Sequence, residues 1–126
     1  GMEMIAAANQ AKGNTKILGV SLLTSLDESD TQMLYDNNFT TQFNNLINVA
    51  EKSKVDGIVC SSKELSLLSE SNLIKVVPGI RNLNLLDDQK RVMTSKEAYE
   101  NGANFIVVGR PITQSKNIEE AIIEYS

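Results

Sequence analysis

The sequence predicts an α/β fold built on a parallel sheet. Three observations carry this. Short apolar runs at 17–23 (ILGVSLL), 58–60 (IVC), 73–77 (LIKVV) and 104–108 (NFIVV) alternate with segments of helical pattern. The runs do not alternate polar and apolar residues, as half-exposed antiparallel strands do. Each run stops at Gly, Pro or a hydroxyl-rich stretch, and strand–helix alternation of this kind requires parallel crossovers. Two closed solutions fit: a small doubly wound sheet, or part of a (β/α) barrel. The absence of G-x-G-x-x-G after the first run weighs against a dinucleotide fold.

Taken in order, residues 3–12 (EMIAAANQAK) form an Ala-rich helix with Gly13 at its C-terminal stop. Gly1 before Met2 reads as a scar of tag removal and stands outside the fold argument. The first strand, 17–23, is expected to be buried on both faces, and 25–38 reads as a polar, acidic loop. A helix begins near Thr40 or Thr41, with Phe43, Leu46, Ile47 and Ala50 on one apolar stripe and Lys52 and Lys54 near its end. After the strand 58–60, Ser61 and Glu64 fit a capping box, and Leu65, Leu67 and Leu68 are expected to form the buried face of a helix. Pro78-Gly79 ends the third strand, and 80–92 is a long loop. Thr94 and Glu97 form another capping box, and Gly102 suits a stop. Asn117 and Glu120 cap a last helix with the stripe Ile118, Ala121, Ile122, Tyr125.

Composition narrows the chemistry. The 126 residues are enough for one domain with a real core, and a net charge of −4 disfavours nucleic-acid binding through a basic surface. No apolar run approaches the ~20 residues that span a bilayer. Residues 2–11 lack the basic start of a signal peptide. One cysteine, Cys60, fits a reducing cytoplasm and reads as a small buried hydrophobe. The chain has no histidine, which removes Ser-His-Asp and Cys-His nucleophiles and His-based metal sites. No cofactor is expected.

Polar residues gather after each strand: Thr24-Ser25, Ser61-Ser62, Arg81 with Gln89, and Gly109-Arg110. Parallel strands bring these ends to one face, the functional face of both candidate architectures. The stretch NFIVVGRPIT, 104–113, is the sharpest case. Gly109 lets backbone approach a ligand, Pro111 pre-sets a first helical turn, and Arg110 adds a forked cationic donor. The reading is an anion site at a strand end, against an ordinary βα turn with a surface arginine.

LLTSLDESD at 22–30, DGIVCSSKE at 56–64, VPGIR at 77–81 and DDQKRVMTSKEAYENGANFIVVGRPIT at 87–113 resemble bacterial-type orotidine 5′-monophosphate decarboxylase. The match keeps that family's order and spacing from about Ile17 onward. The resemblance implies the C-terminal half of a (β/α)8 TIM barrel: a single domain, 1–126, of strands five to eight, each followed by a helix and preceded by one N-terminal helix. It also implies a substrate site for a pyrimidine nucleotide, OMP or UMP. Thr24 matches the hydroxyl that bonds the pyrimidine ring, and Pro78 a residue lining the base pocket. Arg81 matches a phosphate-binding arginine and Gln89 a side chain closing over phosphate and base. Gly109 and Arg110 match the phosphate-gripping pair.

The family's catalytic array, Asp-x-Lys-x-x-Asp in the first half of the barrel, has no counterpart. Asp88-Gln89-Lys90 gives only D-x-K, with Met93 at the third position. No catalytic residue is therefore assigned. Three functions stay open: part of a decarboxylase making UMP and CO2 from OMP, a remnant that only binds nucleotide phosphate, or an oligomeric half-barrel without a ligand. A half-barrel leaves open sheet edges at 17–23 and 105–108 and an apolar inner face. The chain is therefore expected to form a homo-oligomer or to need a separate N-terminal half.

Overall fold

A computed structural model describes residues 1–23, 25–82 and 93–126. The elements follow in the order α1 (Met2–Ala11), β1 (Leu18–Val20), α2 (Glu28–Tyr35), α3 (Phe39–Lys52), β2 (Gly57–Val59), a 3₁₀ segment (Ser62–Leu68), β3 (Ile74–Pro78), α4 (Ser95–Glu100), β4 (Phe105–Val107), α5 (Arg110–Thr113) and α6 (Ile118–Tyr125). The strands form a parallel sheet in sequence order, β1-β2-β3-β4, the α/β architecture expected. Two compact units are present: Gly1–Cys60 with Ser71–Ile74, and Ser61–Glu70 with Lys75–Ser126.

In the first unit, β1 pairs with β2 in the register Leu18 to Gly57 and Val20 to Val59. Phe43, Ile47 and Ala50 of α3 are buried, as the stripe predicts. Asn38 caps that helix, its Oδ1 accepting from the Thr41 amide at 2.8 Å, so the helix starts just ahead of the threonines. Two expectations fail. The acidic stretch 25–38 is not all loop, because Asp27 and Asp30 form a reciprocal capping box that starts α2. The first strand is shorter than 17–23 and is not buried on both faces: Val20 is 60% exposed, and Leu18 is exposed beside it in the period-2 pattern of one uncovered face.

In the second unit, β3 pairs with β4 in the register Val76 to Phe105 and Pro78 to Val107. Val77 is buried between them, whereas Phe105, expected in a buried strand, is 59% exposed and Val107 is also exposed. The capping boxes at Ser61-Glu64 and Thr94-Glu97 and the Asn117 cap are all present. The segment after β2 is a 3₁₀ rather than an α-helix. With three residues per turn, Leu65 and Leu68 share the buried face and Leu67 is left exposed, contrary to expectation. In α6, Ala121 and Tyr125 are buried while Ile118 and Ile122 stay exposed.

Candidate functional site

The second unit brings together four of the predicted site residues at the C-terminal ends of two neighbouring strands. Because Pro78 pairs with Val107, the segments Gly79–Arg81 and Val108–Arg110 leave adjacent strands in the same direction. Pro78 is half-buried as the last residue of β3. Gly79 then takes φ +77°, with no atom within 4 Å of where a Cβ would sit. The requirement for glycine there is conformational, and Pro-Gly is the pair that such a turn favours. Ile80 is buried beyond the turn, and the Arg81 amide donates to the Met93 carbonyl at 3.2 Å. The Arg81 side chain is half-buried. Thr24 and Gln89 lie outside the described residues, as do Asp88 and Lys90.

At the end of β4, Gly109 and Arg110 are exposed, with open space around the Gly109 α-carbon. The helix they begin is a single turn. Pro111 contributes no N–H, and the amides of Ile112 and Thr113 both donate to the Gly109 carbonyl at 3.0 Å. A helix dipole is therefore a minor attraction. What the turn offers an anion is bare glycine backbone and the Arg110 guanidinium, with the Arg81 guanidinium on the neighbouring strand's loop.

Two groups escaped the sequence reading. The first is a polar node at Asn82. Its amide donates to the Tyr125 hydroxyl at 2.9 Å, and its Nδ2 donates to the Glu124 carbonyl at 2.9 Å. Its Oδ1 accepts from the Ser95 amide at 3.0 Å and the Ser95 hydroxyl at 3.2 Å. The available signal was Tyr125 on the apolar stripe of α6, since a buried tyrosine hydroxyl needs a polar partner. The second is the burial of Glu64: its capping role was expected, but the residue is only 3% exposed. Its carboxylate accepts from the Ser61 amide at 2.7 Å and the Ser61 hydroxyl at 2.6 Å. Burial nonetheless pushes its carboxyl up from the ordinary value, against the Ser61 bonds and Lys63. Cys60 is buried, as expected. Among the described residues no cluster of His, Cys, Asp and Glu could hold a metal ion, and no helix is long and apolar enough to cross a membrane.

Parallel strands with helical crossovers, and cationic and glycine loops at their C-terminal ends, define an α/β protein of the barrel type, present in part. A family model described as "Orotidine 5'-phosphate decarboxylase / HUMPS family" matches residues 1–125, and the chain belongs to that family. It is 46% identical over 126 residues to the orotidine 5'-phosphate decarboxylase of Aquifex aeolicus, covering 93% of this chain and 53% of that protein. It is 40% identical over 120 residues to that of Helicobacter pylori (strain J99), covering 92% of this chain and 53% of that protein. The crystal structure of orotidine 5'-phosphate decarboxylase from Lactobacillus acidophilus superposes with a TM-score of 0.78 at 30% identity, over 99% of this chain and 59% of that one. The chain thus spans about half the length of the curated relatives it matches.

Proposed function

We propose that this chain is the C-terminal half of an orotidine 5′-phosphate decarboxylase, strands five to eight of its barrel, and that it holds the phosphate and base of a pyrimidine nucleotide in the cytoplasm. The observation that carries this reading is the Pro78–Val107 register, which aligns the loops bearing Arg81 and Gly109-Arg110. Two guanidiniums and a glycine backbone suit a phosphate dianion. By resemblance Pro78 lines the base pocket, and Thr24 and Gln89 complete the set.

The decarboxylation itself needs a carboxylate array beside an ammonium, and the chain carries no Asp-x-Lys-x-x-Asp. It is therefore proposed to bind nucleotide without turning over OMP by itself. Titration of the chain with UMP, followed by calorimetry, tests this. Binding is expected, and Arg110→Ala is expected to weaken it by about tenfold or more, the share of a hydrogen bond to a charged group. A chain alone that releases CO2 from OMP would overturn the assignment of chemistry to the other half.

A second reading is favoured by the exposed Leu18, Val20, Phe105 and Val107. In it the chain is an oligomeric half-barrel that has lost its ligand. An absence of any heat with UMP, together with stable self-association, selects it.

A further inference from the structure

We infer that Tyr125 is a positioning residue for Arg81, acting through Asn82, so that the end of α6 sets the anion affinity of Arg81. This rests on the phosphate reading above. Its basis is the completeness of the node. All the polar groups that Asn82 presents before its own carbonyl are engaged: amide to the Tyr125 hydroxyl, Nδ2 to the Glu124 carbonyl, Oδ1 from the Ser95 amide and hydroxyl.

Two of those partners are helix-end groups that have no partner inside their own helices. The Ser95 amide opens α4 and the Glu124 carbonyl lies in the last turn of α6. One asparagine satisfies both, so the backbone at 82 is tied to two helices at once. On its other side the chain is fixed by buried Ile80 and by the Arg81 amide on the Met93 carbonyl. Arg81 therefore sits on a backbone held from both directions. Its side chain is the part left to answer a ligand, and pre-set backbone lowers the ordering cost of binding. The Tyr125 ring packs in the core at 8% exposure while its hydroxyl reaches Asn82, so the ring and the hydroxyl have separable roles.

Tyr125→Phe removes the hydroxyl and keeps the ring. Three measurements on the full chain test the inference: hydrogen exchange of the Asn82 amide, UMP affinity by calorimetry, and the same affinity in an Arg81→Ala background. Expected are exchange at Asn82 faster by about tenfold, the loss of one bond's protection, and UMP binding weaker by about threefold or more. In the Arg81→Ala background the further loss on Tyr125→Phe is expected to vanish. A purely structural tyrosine would weaken binding equally in both backgrounds, and that result overturns the inference. So does unchanged affinity with Arg81 present. If the wild-type chain binds no UMP, the phosphate reading fails and this inference falls with it, whereas the two preceding outcomes sink the inference while that reading stands.

Discussion

A methyl group placed on Gly57 would lie 2.5 Å from the Ile74 carbonyl oxygen, 2.7 Å from Leu18 Cδ2 and 2.8 Å from Ile74 Cβ. Backbone on one side cannot give way, so Gly57→Ala is expected to destabilise the chain by about 3 kcal/mol, read as a lower urea midpoint at constant slope. A midpoint within error of wild type would show that β1 and β3 yield. Nothing in Asp56-Gly57 announces this, because the clash is with a residue 17 positions on. Glu64 carries a second prediction. Its folded carboxyl titrates above its ordinary value because it is buried. Its contribution to folding is therefore favourable below that ordinary value and is lost as pH rises through the raised one. Glu64→Gln keeps an acceptor for the Ser61 amide and places a donor against the Ser61 hydroxyl, without the buried charge. The variant is expected to match or exceed wild type in stability at pH 7, with the difference shrinking as pH falls toward about 4. Urea midpoints across that range check it, and a variant less stable at pH 7 contradicts it.

At the scale of elements, α1 contributes no buried residue and is held by polar contacts. Asn9 Nδ2 donates to the Ser53 carbonyl at 2.6 Å, at the end of α3, and Lys12 Nζ meets Asp56 Oδ2 at 2.6 Å. The same Asp56 oxygen accepts the Ile17 amide at 2.7 Å. The Lys12 bond, the Ile17 amide and Lys16 hold the Asp56 carboxyl below its ordinary value. Its contribution is thus present above about pH 4 and lost as pH falls through the lowered value. Amide exchange across 2–11 is expected to accelerate as pH falls below the ordinary aspartate range, once the intrinsic pH effect is removed, and Asp56→Asn is expected to abolish that pH dependence. Protection that is unchanged at low pH would place the helix's attachment elsewhere. Element boundaries were legible where the signal is local. Ser61-Glu64, Thr94-Glu97 and Asn117-Glu120 are i, i+3 pairs that cap as read. The same device with Asp at both ends, Asp27 and Asp30, was hidden in an acidic stretch whose Met33, Leu34 and Tyr35 form no buried stripe. Within the candidate site, the turns after β3 and β4 that carry Arg81, Gly109 and Arg110 were readable from local Pro-Gly and Gly-Arg-Pro signals. The Asn82 node was not, since its bonds reach 13 and 43 residues along the chain.

At the scale of the molecule, the strand faces carry the largest departure from the sequence reading. An apolar run announces that a strand is to be covered, but not by what. Leu18 and Val20 in one unit, and Phe105 and Val107 in the other, alternate along their strands with less exposed neighbours and are themselves exposed. The relatives are about twice as long as this chain, so their folds contain additional structure of a size able to cover such faces. If the chain is a half-barrel, as proposed above, these residues demand a partner, and a second copy is the one present in a pure sample. Covering a half-exposed residue of this size contributes about 1 kcal/mol. Val20→Lys with Phe105→Lys removes two such contributions from each copy. A dimer is then expected to weaken by about 4 kcal/mol, roughly a thousandfold in dissociation constant. Both positions are exposed, so the double variant is expected to keep the circular dichroism spectrum of the wild type. Light scattering coupled to size exclusion reads the outcome: wild type is expected to elute above monomer mass at micromolar concentration and the double variant at monomer mass. A wild-type chain that is a clean monomer at that concentration would mean that these apolar faces tolerate water and that no second copy covers them.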